Sequence, residues 1–128
     1  MSTLAIWHEM IETMDMSRLD EVIADNCVFY SPVVHTPQEG KALTIMYLTG
    51  AGNVFNDSFH YVKEVVTDTH AVLEFECEVD GIIVNGVDIL TFDFAGKIRE
   101  FKVMIRPLKG VHMMQHKMKE MLDQLAGK

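Results

Sequence analysis

The sequence predicts an α+β domain, a curved antiparallel sheet with its helices gathered on one face. Two changes of hydrophobic period predict it. Up to about residue 55 apolar residues recur at helical spacing, and from residue 57 to about 107 they alternate with polar ones. Helical spacing then returns from Val111 to Leu125. Helices, then a meander of strands, then a helix is the order of segregated α+β layers. A chain of 128 residues fits one domain spanning 1-128. At that length roughly two-thirds of the unfolded surface is buried on folding, enough for a core and a pocket.

The elements follow in order. Leu4, Trp7, Ile11 and Met14 predict a first helix, with Ser2 or Thr3 able to cap it. A second short helix is expected from Ser17 to Ala24, with Ser17 as its N-cap and Leu19, Val22 and Ile23 inward. "NCVFYSP" reads as a strand ended by Pro32, and "VVHTPQEG" as a loop. A third helix over 41–54 carries Leu43, Met46 and Tyr47 as inward candidates, with Phe55 just after it. "DSFHYVKEVVTD" and "HAVLEFECEVDG" predict strands joined at Thr67-Asp68-Thr69. "IIVNGVDILTFDFAG" and "KIREFKVMIRP" predict two more, with turns at Asp80-Gly81 and Ala95-Gly96. In the last helix Val111, Met114, Met118, Met121, Leu122 and Leu125 form one apolar stripe.

Composition narrows the function. The 19 acidic residues outnumber 11 basic ones, a net charge of −8. Nucleic-acid and anionic-membrane surfaces need clustered cations, so neither partner is expected. Nothing reaches the 18 or more apolar residues of a membrane span, and the N-terminus has no basic leader. Cys27 and Cys77 stand in apolar strands without a Cys-x-x-Cys pair. Free thiols in a reducing compartment, hence a cytoplasmic protein, are the expectation.

One strand breaks its own pattern. In "VDILTF" the side chains sort by parity, and Asp88 shares a face with Leu90 and Phe92. The neighbouring strands assign that face to the core. Leu73, Phe75, Cys77 and Val79 alternate with Glu74, Glu76, Glu78 and Asp80, and Phe101, Val103 and Ile105 alternate with Lys102, Met104 and Arg106. The glutamates mark the outer face, where Lys102 and Arg106 are expected to pair with Glu76 or Glu78. Asp88 is thus a carboxyl on an apolar face. Such a group raises its pKa and becomes a proton or hydrogen-bond donor at neutral pH.

Three stretches, "DMSRLDEVIADNCVFYSP", "QEGKALTIMYL" and "VDILTFDFAGKIREFKVMI", give the chain a resemblance. It resembles the nuclear transport factor 2-like superfamily, the fold of SnoaL-like cyclases and ketosteroid isomerases. The resemblance implies a cone, with the N-terminal helices packed over the concave sheet face around a deep apolar pocket and an extra C-terminal helix. It places Asp88 where the isomerases keep a protonated oxyanion acid. It also marks departures. Ser31 stands where they have a catalytic aspartate, and Trp7 where they have an oxyanion tyrosine. A serine hydroxyl cannot take a C–H proton unaided, and an indole only donates. The resemblance therefore does not carry ketosteroid isomerase activity over to this chain.

The expected site has Asp88 as acid or oxyanion donor. His35, in the loop after Ser31, is the candidate base, because histidine is the commonest base near neutral pH. Trp7, Ser31, Tyr47, Leu73, Phe75, Leu90, Phe101, Val103 and Ile105 are expected to line the pocket. The expected ligand is a small apolar carbonyl or epoxide compound, handled without a cofactor, or else a hydrophobic ligand merely bound. His112, His116 and Glu120 share a helix face at metal-ligand spacing, but they lie mostly off the apolar stripe and read as solvated. No metal is expected. A homodimer through the outer sheet face is expected from the resemblance and from the outward apolar Val72, Ile89 and Met104.

Overall fold

The computed structural model describes residues 2–125. In chain order the elements are α1 (Thr3–Thr13), α2 (Leu19–Val22), β1 (Ile23–Tyr30), β2 (Gln38–Glu39) and α3 (Lys41–Val54). They continue with β3 (His60–Val66), β4 (His70–Val79), β5 (Ile82–Phe92), β6 (Ile98–Arg106) and α4 (Leu108–Leu125). One sheet holds all six strands in the order β2-β1-β6-β5-β4-β3. The meander β3 to β6 is antiparallel as predicted. β1, however, runs parallel to β6, so the sheet is mixed. Alternation tells a strand's faces but not its neighbour, and β1 reaches β6 from the helical layer rather than by a hairpin.

Local chemistry sets the boundaries. The Ser2 hydroxyl accepts the Ala5 N–H at 3.1 Å and caps α1. The helix ends at Met14 in a left-handed conformation, φ 56°. α2 is shorter than Ser17–Ala24 and takes no cap from Ser17. Ile23 and Ala24 belong instead to β1, where both are buried and Ile23 pairs with Ile98. Asp80 and Gly81, φ 52° and 78°, form the left-handed pair that a tight hairpin requires. α4 begins at Leu108, three residues before the expected start.

The core lies between helices and sheet. Ile6, Trp7 and Met10 of α1, Leu19 and Val22 of α2, and Leu48 of α3 meet Leu73, Leu90, Ile98 and Phe101 of the sheet. α3 turns Thr44, Leu48, Gly50 and Val54 inward. Leu43, expected inward, lies off that stripe and is exposed. On α4 Met114 is buried, while Val111, Met118, Met121 and Leu122 are half-buried. The Leu125 side chain lies outside the described residues. On the outer sheet face Lys102 stands over the Tyr30 ring, 5.0 Å from its centre. Among the described residues neither Lys102 nor Arg106 makes the ion pair expected with Glu76 or Glu78. No described helix is long and apolar enough to cross a membrane.

Candidate active site

The helices leave a cavity of about 390 Å³ over the concave sheet face. Its wall draws on every layer: Trp7, Met10, Met14 and Met16 near the N-terminus, Tyr47, Leu48 and Phe55 around α3, and Phe101, Val103 and Ile105 from β6. Met114, Met118 and Leu122 of α4 close one side. The C-terminal helix therefore covers the pocket. The size lies within the range of small-molecule sites, and the wall is mostly apolar as such sites are. Aromatic pairs stiffen it. Phe29 stacks on Tyr47 with ring centres 5.2 Å apart, and Trp7 meets Phe101 edge-on at 5.1 Å.

Asp88 is the buried carboxyl in this wall, which Lys119 and Asp123 of α4 also border. β5 is an interior strand, and register sets Asp88 between Leu73 of β4 and Val103 of β6. Only 5% of the residue is exposed. Two residues before it, Gly86 leaves room for a neighbour. A Cβ there would lie 2.4 Å from the Phe75 ring and 2.7 Å from the Met104 carbonyl oxygen. Phe75 can thus fold flat on the sheet, stacked with Phe59 at 4.8 Å.

A chain of hydrogen bonds holds the carboxyl. The Tyr61 hydroxyl donates to Asp88 Oδ2 at 2.7 Å. The Trp7 Nε1–H donates to the Tyr61 oxygen at 2.9 Å. Among the described residues nothing bonds Asp88 Oδ1, yet no buried side-chain nitrogen or oxygen lacks a partner. Oδ1 is therefore the oxygen left open, and the space that Asp88 borders is the cavity. Burial pushes the Asp88 pKa up to about 7, against the lowering effect of the Tyr61 bond. Burial, and then the facing Asp88, raise Tyr61 well above the usual tyrosine value, so it stays a donor.

The structure brings together Asp88, Trp7, Ser31, Tyr47, Phe101, Val103 and Ile105 of the predicted residues. Leu73, Phe75 and Leu90 do not reach the cavity. They are fully buried beneath its wall. His35 does not border it either, contrary to expectation, and is exposed. The Ser31 hydroxyl accepts the Val33 and Val34 N–H groups at 3.1 and 3.2 Å. That turn points Val33 and Val34 at the cavity and carries His35 past its rim. Tyr61 is not among the residues the sequence predicts for the site. The signal was present, because Tyr61 pairs with Phe75, an inward residue, and so shares its face. A bulge between Tyr61 and Lys63 then spoils the alternation further along β3.

A smaller cavity of about 310 Å³ adjoins the first and shares Ile11, Met14, Asn56 and Phe59 with it. Tyr61 borders this second space, as do His8 and Glu64, which pair at 2.5 Å. On the surface of α4 His116 pairs with Glu120 at 2.6 Å. Among the described residues no group of His, Cys, Asp and Glu is arranged to hold a metal ion.

A six-stranded mixed sheet with helices packed over its concave face is the architecture of the nuclear transport factor 2-like class. Within it the chain belongs to the SnoaL-like family, whose domain model matches residues 5–101. A steroid delta-isomerase from Pseudomonas aeruginosa is 33% identical, with a TM-score of 0.92 over 98% of this chain and 93% of that one. A protein with a cystatin-like fold from Silicibacter pomeroyi DSS-3 is 28% identical, with a TM-score of 0.85 over 92% and 83%. The epoxide hydrolase/cyclase-like enzyme SalBIII of salinomycin pyran-ring formation shares the fold at 17% identity, with a TM-score of 0.65 over 81% and 88%. No curated protein matches the chain.

Proposed function

We propose that the protein is a cofactor-independent acid–base enzyme of isomerase, cyclase or hydrolase type, acting on a small apolar carbonyl or epoxide compound. The observation that carries this reading is Asp88, a carboxyl with one tethered oxygen and one open oxygen in an apolar cavity, its pKa near 7. Such a group is present in both protonation states at neutral pH. Neutral, it donates to a carbonyl or epoxide oxygen. Ionised, it takes a proton from a carbon beside a carbonyl. The C–H electron pair then moves to the carbonyl oxygen as the proton goes to Asp88, and return of that proton to another carbon completes an isomerisation with no net exchange. The similarity to a steroid delta-isomerase supports this chemistry; the resemblance sets Ser31 and Trp7 where ketosteroid isomerases have an aspartate and a tyrosine.

His35 has no role in this reading. No histidine borders the cavity among the described residues. That observation favours a second reading, a non-catalytic carrier of a hydrophobic ligand in which Asp88 only orients the bound molecule.

The test uses the one tryptophan of the chain, which lies in the cavity wall. Binding of a panel of cyclic enones and apolar epoxides is followed by Trp7 fluorescence, and turnover by product analysis, for wild type and Asp88→Asn. Turnover lost with binding retained supports the enzyme. Tight wild-type binding with no ligand converted leaves the carrier.

The outer sheet face supports a homodimer within the same reading. Val72 and Ile89 sit opposite each other there, beside the half-exposed Met104. Sedimentation at micromolar concentration tests it, with a clean monomer as the refuting result. The free, buried Cys27 and Cys77 fit a reducing, cytoplasmic setting.

A further inference from the structure

Trp7, Tyr61 and Asp88 form a chain whose direction is fixed at one end. An indole N–H has no lone pair to offer and can only donate. At 2.9 Å it takes up one acceptor direction of the Tyr61 oxygen. The Tyr61 proton is thereby turned away from Trp7, toward Asp88 Oδ2 at 2.7 Å. Oδ2 then already accepts an O–H, which disfavours a proton of its own relative to the unbonded Oδ1.

We propose that Trp7 is a positioning residue for acid–base chemistry at Asp88, acting through Tyr61 to keep the transferable proton on the open oxygen, Oδ1. In the ionised state Oδ1 presents a lone pair to the cavity. In the neutral state it presents an O–H. One atom thus receives the proton and gives it back, and the ligand need not move between the two events. Without the indole N–H the Tyr61 hydroxyl is free to rotate. A neutral Asp88 then carries its proton on Oδ2, donates it to the Tyr61 oxygen, and hides it from the cavity. The proposal adds to the enzyme reading a residue that touches neither the reacting atoms nor the proton. It rests on that reading only for its catalytic consequence.

Lys119 and Asp123 of α4 border the cavity that Asp88 faces, and two further ionisable groups lie on the Tyr61 side. His8 packs edge-on against the Tyr61 ring, with centres 6.1 Å apart, and pairs with Glu64. Glu64 also acts on Tyr61 through its charge. A titration cycle cancels these constant contributions.

The experiment follows the Asp88 carboxyl carbon by NMR across pH, in the absence of any ligand. Tyr61→Phe removes a hydrogen bond to the charged form and raises the Asp88 midpoint by about one to two pH units. Trp7→Phe leaves Tyr61 in place but lets it accept, so the neutral form gains a partner. The midpoint rises by about half to one unit. In the Tyr61→Phe background the same Trp7 change has no effect, because the middle of the chain is gone. An equal shift in both backgrounds, or none in either, overturns the proposal. The first of these outcomes means that Trp7 acts only as packing. Should Trp7→Phe loosen the fold, replacing Trp7 by benzothienylalanine keeps the ring shape and removes only the N–H, with the same expected shift. A cycle that behaves as stated in a protein that turns over nothing refutes the enzyme reading and leaves the proton placement intact.

Discussion

Replacing Asp88 by Asn should make the protein more stable as pH rises, relative to wild type. The Asp88 pKa lies at about 7 in the fold against an ordinary 3.8. Between those values the unfolded chain loses its proton while the native state keeps it. The native state then binds more protons, so stability falls with pH. The contribution of Asp88 is fully present below 3.8 and is lost as pH climbs through about 7. A gap of about three units corresponds to about 4 kcal/mol, and about 2–3 kcal/mol of it falls between about pH 5 and pH 8.5. Asn is isosteric, neutral, and still offers Tyr61 an acceptor oxygen. The assay is urea unfolding of wild type and Asp88→Asn over that range. Subtracting one curve from the other removes every other titrating group. The wild type should lose about 2–3 kcal/mol relative to the variant toward high pH. A difference that stays flat within about 0.5 kcal/mol, or that changes in favour of the wild type, refutes the idea that Asp88 is buried with an elevated pKa.

The glycine beside it gives a second measurement. Gly86→Ala forces a methyl to 2.4 Å from Phe75 and 2.7 Å from the Met104 carbonyl. A loss of about 3 kcal/mol or more is expected in the same unfolding assay. Gly50→Ala meets only the flexible end of Met118, at 3.2 Å, and should cost no more than about 1 kcal/mol. The Cys27 thiol is pushed up to about 11 by burial. From thiolate fraction alone it should react with a maleimide on the order of 100-fold more slowly in the native protein than in urea.

The sheet could be read from the sequence wherever parity was uninterrupted. Leu73 to Val79 and Phe101 to Ile105 alternate cleanly, and that alternation was enough to place Asp88 on the concave face. Where the backbone departs from strict alternation the reading failed. The β3 bulge masks Tyr61, which among the described residues is the one side chain that bonds Asp88. Side-chain direction in loops is less legible still. Distance along the chain from Ser31 predicts His35 at the pocket. The Ser31 hydroxyl then decided the matter by capping Val33 and Val34. Depth was also misjudged. Leu73, Phe75 and Leu90 do lie on the concave face, but a face is thicker than one side chain, and Phe59 and the helices cover what parity exposes.

The arrangement around Asp88 separates a structural carboxyl from a working one. A carboxylate kept for stability is ordinarily satisfied at both oxygens or paired with a cation, because a buried charge otherwise costs several kcal/mol. Asp88 has neither. Among the described residues it has one neutral donor at Oδ2, no bonded cation, and an open Oδ1 beside a mostly apolar space. Apolar residues of similar volume would pack at least as well. The cost is also maintained rather than relieved by its surroundings. The polar reach of Trp7 goes to Tyr61 instead of the carboxyl, and α4 sets Met114, Met118 and Leu122 along the cavity that Asp88 borders. An apolar lid raises the pKa of an acid beneath it, and a donor at one oxygen keeps that acid from moving. Together they leave one buried acid–base atom, near neutrality, at the cavity wall.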